Sequence, residues 1–297
     1  MYRRHVWGTA LLFALCLAHP AGAQNPLALH YAPSGEFAVA YRDMGSGDRP
    51  LVLVHGWACD HTFWRYQMPF FAARGRVIAL DLPGHGWSTK PKVPYTQEIF
   101  VESLRAVLDT AEVSQAVLAG HSMGGGICRA FALRYPHRVA GIVLVDPAII
   151  RVPEDLQKRK EMSHLLETVA ASLAPGPDSR ERVQAFIEGM FVPETPAPVR
   201  RLVLEKMLGT APYVRDSAME YFLRLPLWEG SRPVYAPTLG IFGAESARAE
   251  GPEFESDLHR LFPHLTYEVW PGVSHFYMLE VPDRLNERLE TFLATLH

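Results

Sequence analysis

The segment AVLAGHSMGGGICRAFALRYPHRVAGIVLVDP covers residues 116–147. It opens on a short apolar run, Ala116–Gly120, and closes on a second, Gly141–Asp146, with a helical pattern between them from about Met123. Gly120-His121-Ser122-Met123-Gly124 fits G-x-S-x-G and falls where strand gives way to helix, the context a nucleophile elbow requires. A serine on so sharp a turn needs a strained backbone, so the positions two residues either side of it must be small. The helix beginning behind it offers free N–H groups and a positive dipole end to a developing oxyanion. Gly124, Gly125 and Gly126 also let that helix pack close to the sheet. Ser122 is therefore the candidate nucleophile.

Working outward, the same alternation recurs. Leu51–His55, Arg76–Asp81, Thr238–Gly243 and Leu265–Trp270 read as further strands, and Phe37–Tyr41 with Leu27–Tyr31 as antiparallel starters. Most are near-continuously apolar, as strands covered on both faces must be. Helical patterns fall at 62–73, 97–111, 123–135, 253–262 and 282–296. The sum is an α/β fold, with a mostly parallel eight-stranded sheet and helices on both faces. Between Pro147 and Ala236 no strand is legible, and a simple crossover needs far fewer residues. Helices at about 153–173, 179–191, 197–209 and 214–225, divided by Pro and Gly, read as an inserted cap. The predicted division is 24–147 and 237–297 for the core and 148–236 for the cap.

Residues 1–23 stand apart. Arg3 and Arg4, the apolar run Ala10–Ala18 and the triplet Ala21-Gly22-Ala23 make a secretory signal with a cleavage site after Ala23. The apolar run is too short for a membrane-spanning helix, which needs about 20 residues. A secreted or periplasmic chain is expected, with no stable membrane span. Cleavage removes two arginines and no acid, so a formal charge of −3 over 297 residues becomes −5. That balance gives no case for nucleic-acid binding. Cleavage also removes Cys16, leaving Cys59 and Cys128 either to pair in an oxidising compartment or to stay as buried thiols. No metal-ligand spacing and no dinucleotide fingerprint appears, so no cofactor or metal is expected.

With LVLVHGWACDHTFW (51–64), RVIALDLPGHGWS (76–88), the 119–147 block and PGVSHFYMLEVPDRLNERLETFL (271–293) in this order, the chain resembles the α/β-hydrolase fold superfamily. The resemblance implies an oxyanion hole formed by the backbone N–H groups of Trp57, after His55-Gly56, and of Met123. It implies that His275, on the loop after the last strand, is the general base. His55, His85 and His121 then read as loop structure, and His259 and His264 as solvated. The family's usual acid follows a strand end as Gly-x-x-Asp, but here that register reads Gly243-Ala244-Glu245-Ser246. Two repairs are available. Some relatives carry the acid at the end of the preceding core strand, here Asp146. The other is Glu245, one residue early with a longer side chain; Glu250 or no acid at all complete the choices.

A nucleophilic serine argues against the dehalogenases and epoxide hydrolases of this fold, which use aspartate. The expected reaction is hydrolysis of a small carboxylic ester or lactone through an acyl-enzyme on Ser122. Trp57 and Phe276 are expected to line the substrate pocket, with apolar cap residues among Met162, Phe186, Met190, Phe191, Met207, Tyr213, Met219, Tyr221, Phe222 and Trp228. Three alternatives stay open: a hydrolase of carbon–carbon bonds, a cofactor-free perhydrolase or haloperoxidase, and a non-catalytic binding protein. Neither the oligomeric state nor the particular substrate is legible.

Overall fold

The computed structural model describes residues 28–149, 155–173, 176, 178–223 and 232–296. The signal segment, Cys16, Trp228 and the Met162 side chain lie outside the described residues. The chain opens with β1 (His30–Ser34), β2 (Phe37–Met44), β3 (Leu51–Val54), α1 (Gln67–Ala72), β4 (Val77–Leu80), α2 (Gln97–Thr110), β5 (Ala116–His121), α3 (Met123–Arg134) and β6 (Val139–Val145). Four helices follow: α4 (Leu156–Leu173), α5 (Ser179–Glu188), α6 (Ala197–Gly209) and α7 (Pro212–Leu223). The chain then returns through β7 (Thr238–Gly243), α8 (Ala244–Ala249), α9 (Phe254–Leu261), β8 (Leu265–Trp270), α10 (Tyr277–Glu280) and α11 (Pro282–Leu293).

The strands form one sheet in the order β1-β2-β4-β3-β5-β6-β7-β8. β1 and β2 run antiparallel to their neighbours, and every pairing from β4 to β8 is parallel. Successive side chains of a strand point to opposite faces. All residues of β3, β4, β5 and β7 are buried, so both faces of the sheet centre are covered. β4 lies on one side of β3 and β5 on the other, which puts a topological switch point at the carboxyl ends of β3 and β5. Open α/β sheets bind ligands at such a point.

α8 and α10 are short helices the sequence did not announce, and three expected elements take different bounds through a distant partner or a local cap. β2 continues past Tyr41 to Met44 because Arg42, Asp43 and Met44 pair with Ala79, Ile78 and Val77 of β4. The helix expected at 62–73 divides into a 3-10 turn, His61–Trp64, and α1. Asp60 caps that turn, its carboxylate accepting the Thr62 N–H at 2.8 Å. β1 begins at His30 and reaches β2 through a two-residue loop, Gly35-Glu36, with Gly35 at φ 58°. Tight hairpins favour such left-handed glycines.

The helices α4–α7 lie between β6 and β7 in sequence, and their buried apolar residues, including Val183, Ile187, Val203, Met207, Val214 and Ala218, are continuous with the core around the sheet. No described helix is long and apolar enough to cross a membrane.

Candidate active site

β5 ends at His121 and α3 begins at Met123, so Ser122 alone makes the turn, at φ 52° and ψ −123°. A non-glycine residue held in a sparsely populated region costs about 1–3 kcal/mol and persists only where its surroundings fix it. Here the Ser122 N–H donates to Val145 O at 3.1 Å, and its carbonyl accepts the Gly125 and Ala148 N–H groups at 2.9 and 3.0 Å. Space allows only glycine nearby. A Cβ at position 120 would lie 2.4 Å from Gly124 O, and one at position 124 would lie 2.4 Å from Val54 O. The strand β3 runs beside β5 with Val54 opposite Gly120. The chain leaving it passes close to the serine, and a Cβ at Gly56 would lie 2.9 Å from Ser122 Cβ. Trp57 therefore follows within one residue of that contact, while the Met123 N–H heads α3, where no intrahelical acceptor exists.

His275 lies in the loop between β8 and α10. Its Nδ1 is 2.6 Å from Asp146 Oδ2. The histidine side chain is 16% exposed and the aspartate 2%. The histidine backbone is held from two sides: its N–H donates to Met190 O at 3.2 Å, and its carbonyl accepts from His121 Nε2 at 2.9 Å. In the same loop, Ser274 donates its N–H and hydroxyl to Glu280 at 2.8 and 2.6 Å. A carboxylate on Nδ1 fixes the proton there and leaves Nε2 as the ring's acceptor.

Asp146 is one residue beyond β6 and turns to φ 42°. Its N–H bonds to Ile241 O and to the Tyr277 hydroxyl, both at 2.9 Å. Its Oδ1 accepts the Gly243 N–H at 2.9 Å and its Oδ2 the Ser246 hydroxyl at 2.8 Å. Glu245 points elsewhere. It is exposed and pairs with Arg248 one helical turn on. Glu250, at the end of α8, is exposed as well. The geometry thus brings Asp146 to His275 and leaves both glutamates outside. Two residues that the sequence reading did not assign to the site, Ser246 and Tyr277, touch the aspartate directly. Ser246 was visible in the sequence only as a gap in the usual acid register.

The other histidines near the site are sealed. His55 donates Nδ1–H to Gly56 O at 2.8 Å and accepts the Leu82 N–H on Nε2 at 2.9 Å. His85 is bracketed in the same way by Pro83 O and the Ala58 N–H. Burial holds His55 below its ordinary value and takes His85 down to about 3. His121 is pushed well below its ordinary value by burial, then by the neighbouring His275. None of the three is poised to take a proton. Cys59 and Cys128 are both free and buried, and burial raises both thiols, so the pairing left open by the sequence is not formed.

The inserted helices close over the residues after β3. Trp57 Nε1 donates to Arg215 O at 2.8 Å, the Thr210 hydroxyl to Ala58 O at 2.9 Å, and Lys206 reaches Asp60 at 2.9 Å. Trp57 meets Phe186 edge-on at 5.8 Å between ring centroids. Phe276 is fully buried and packs among Phe63, His121, Phe191 and His275, so it supports the histidine from behind. Of the apolar residues in this stretch, Phe186, Met190, Phe191 and Phe222 are half-buried beside the core, whereas Met207 and Met219 are buried within it. A small apolar cavity borders Met123, walled by Phe100, Ile127, Ala218 and Phe222, with Gln97 at its side.

A half-buried serine on a strained strand-to-helix turn, with a carboxylate-bound imidazole on the loop after β8, is the layout of an α/β hydrolase. Comparison with known proteins agrees. Residues 49–182 match the family described as the alpha/beta hydrolase fold. Over 91% of its length the chain is 30% identical to the dihydrolipoyllysine-residue acetyltransferase component of the acetoin cleaving system of Pseudomonas putida, and it spans 70% of that relative. A 115-residue stretch, 37% of this chain and 40% of the relative, is 41% identical to 2-hydroxymuconate semialdehyde hydrolase of a Pseudomonas species. Among solved structures, a thermophilic esterase from Thermogutta terrifontis gives a TM-score of 0.73 at 25% identity, over 91% of this chain and 98% of that one. The chain belongs to the α/β-hydrolase superfamily.

Proposed function

We propose that this protein is an exported serine hydrolase of small carboxylic esters or lactones. The observation that carries the reading is the strained Ser122 elbow at the end of β5, with the His275-bound Asp146 at the end of the neighbouring strand β6 and His121 bonded to the His275 carbonyl. Ser122 Oγ attacks the acyl carbonyl while His275 Nε2 takes its proton, and Asp146 stabilises the resulting imidazolium through Nδ1. The oxyanion is held by the backbone N–H groups of Trp57 and Met123. His275 then protonates the departing alkoxide, leaving an acyl group on Ser122. Water, deprotonated by the same imidazole, attacks that ester and releases the acid. The half-buried aromatics Phe186 and Phe191 and the cavity beside Met123 supply apolar walls for the acyl and alcohol parts. Export rests on the residues 1–23 alone.

A second reading, hydrolysis of a carbon–carbon bond next to a carbonyl, is favoured by the similarity to the semialdehyde hydrolase. It shares the serine, the histidine and the insert. The test is labelling by a fluorophosphonate followed by substrate profiling. Label on Ser122, with turnover of p-nitrophenyl esters or lactones of graded length, is the expected result. An unlabelled Ser122 in folded protein overturns the hydrolase reading. Label with turnover only of diketone ring-cleavage products moves the assignment to the second reading.

A further inference from the structure

We infer that the cavity beside Met123 seats the acyl chain of the substrate, that it admits short unbranched acyl groups with butyryl the longest, and that Phe222 sets this limit. The inference deepens the proposed ester-hydrolase reading and rests on it. The direction of the chain follows from where the other parts of a tetrahedral intermediate must lie. Around the attacked carbon stand Ser122 Oγ, the oxyanion, the leaving oxygen and the acyl chain. The oxyanion faces the Trp57 and Met123 N–H groups, and the leaving oxygen must meet His275 Nε2, which protonates it. The acyl chain takes the direction that remains. The step from β3 to β4 runs one way along the sheet, and the steps from β4 to β5 and from β5 to β6 run the other. Crossovers between parallel strands are right-handed, so α1 covers one face and α2 and α3 the opposite one. His275 belongs to the α1 face: its loop leads into α10 and α11, which pack on the His61–Trp64 turn and on α1. On that flank Phe191 stands 5.7 Å from Phe276, and Phe276 5.2 Å from His275, between ring centroids. The alcohol therefore leaves past Phe191, and the acyl chain points to the α2–α3 face.

The cavity opens on that face. Its walls are pairs about one helical turn apart: Gln97 and Phe100 at the start of α2, Met123 and Ile127 at the start of α3, and Ala218 and Phe222 on α7. Five of these six are apolar, which suits an alkyl chain. The enclosed space is at most about 220 Å³. That is below the roughly 300–1,000 Å³ of pockets that take drug-sized ligands. Phe222 is the end wall. A Cβ at position 126 would lie 3.4 Å from Phe222 Cε2, so the ring edge rests against α3 at Gly126. Met123 and Gly126 are about 4.5 Å apart along the axis of a helix that rises about 1.5 Å per residue. An extended alkyl chain advances about 1.3 Å per carbon, from C–C bonds of about 1.5 Å at a tetrahedral angle. Three carbons beyond the carbonyl fill that length, which is a butyryl group; a longer chain meets the Phe222 ring.

The test varies the two halves of the ester separately on the full-length protein. p-Nitrophenyl acetate, butyrate, hexanoate and octanoate vary the acyl chain; ethyl, butyl and hexyl acetate vary the alcohol. Wild-type kcat/KM is expected to fall by at least about tenfold from butyrate to hexanoate, the scale of a methylene that a pocket does not accommodate. Phe222→Ala should raise the hexanoate-to-butyrate ratio by at least about tenfold, and Phe222→Leu should raise it in part, which keeps the test open if the alanine variant folds poorly. Ala218→Val, which fills the same cavity, should move the preference the other way, from butyrate to acetate. In all three variants the ratios along the alcohol series should stay within about twofold, since the alcohol lies on the other flank. An acyl profile that neither Phe222→Leu nor Ala218→Val moves overturns the inference. So does a shift confined to the alcohol series, or a wild-type enzyme that cleaves octanoate as well as acetate. If wild type cleaves no ester, the ester-hydrolase reading fails and this inference falls with it; ester cleavage with an unresponsive acyl profile removes the inference alone.

Discussion

At Asp146 the chain adopts a left-handed backbone that costs an aspartate about 1–3 kcal/mol, and the residue repays it with contacts no neighbour could make. Its N–H reaches Ile241 O and the Tyr277 hydroxyl, and its carboxylate reaches Gly243, Ser246 and His275. Tyr277 completes the bracket by donating to the same Ile241 carbonyl at 2.7 Å. The tyrosine is fully buried, and burial, then the aspartate charge, pushes its phenol well above the ordinary value. It therefore stays a neutral donor. An asparagine would keep the shape but could not hold an imidazolium. Asp146→Asn should cut kcat/KM on a cleaved ester by up to about 10⁴-fold. Glu245→Gln, altering an exposed side chain, should leave it within a factor of about two, because exposed ion pairs contribute little. Comparable losses in both variants would sink the assignment of the acid.

α3 lies against the carboxyl end of β3 at a distance only glycine permits, with Val54 O 2.4 Å and His55 O 2.6 Å from where a Cβ of residue 124 would stand. Gly124→Ala gains about 1 kcal/mol of helix propensity. It sets that gain against a clash with two backbone carbonyls that cannot rotate away, and overpacking of this kind costs about 3 kcal/mol. The clash wins, so a net loss of about 2 kcal/mol is expected by urea unfolding, accompanied by slower labelling of Ser122 as the elbow shifts; an unchanged midpoint would contradict this packing. The elbow was legible in sequence because its requirements are local: a strand, small residues around one serine, and a helix start. The sheet was legible because strands buried on both faces spell apolar runs. The extension of β2 was not, since Arg42 and Asp43 look like a strand's end until β4 supplies their partners and Arg76 reaches the Asp43 carboxylate at 2.6 Å. The Asp146–Ser246 contact was hidden for a related reason. The direction of residue 246 depends on where α8 begins, and no pattern in Ala244–Ala249 announces that helix. The Trp57, Ala58 and Asp60 contacts to Arg215, Thr210 and Lys206 join segments some 150 residues apart, and nothing local encodes them.

Across the whole molecule, the side of the sheet that carries the site is built around histidines that fold only as neutral rings. His55 and His85 each have a backbone carbonyl on one nitrogen and a backbone N–H on the other, so a second ring proton would face a donor. His121 donates from Nε2 to His275 O, and its buried Nδ1 has no partner among the described residues. Burial lowers all three, His85 to about 3 against an ordinary 6.5. The sign follows from proton counting. Between the folded and unfolded values the unfolded chain binds the extra protons, so stability rises with pH and is lost as pH falls below about 6.5. Each such histidine contributes a slope of up to about 1.4 kcal/mol per pH unit. The two carboxylates beside these rings titrate below this window. Asp81 is buried and Asp60 half-buried, which opposes ionisation. Lys206 and Thr62 for Asp60, and His61, His55 and the Trp87 N–H for Asp81, more than offset that and hold both below 3.8. Their contribution is intact above that value and declines only as pH falls through it. Urea unfolding at pH 7, 6 and 5 should therefore show a steepening fall in stability well above the carboxylate range. Replacing His85 by Gln should lower stability at pH 7, through its lost hydrogen bonds, and flatten the decline below 6.5. A stability that stays level from pH 7 to 5 would mean that these rings accept protons in the folded state, contrary to their sealed geometry.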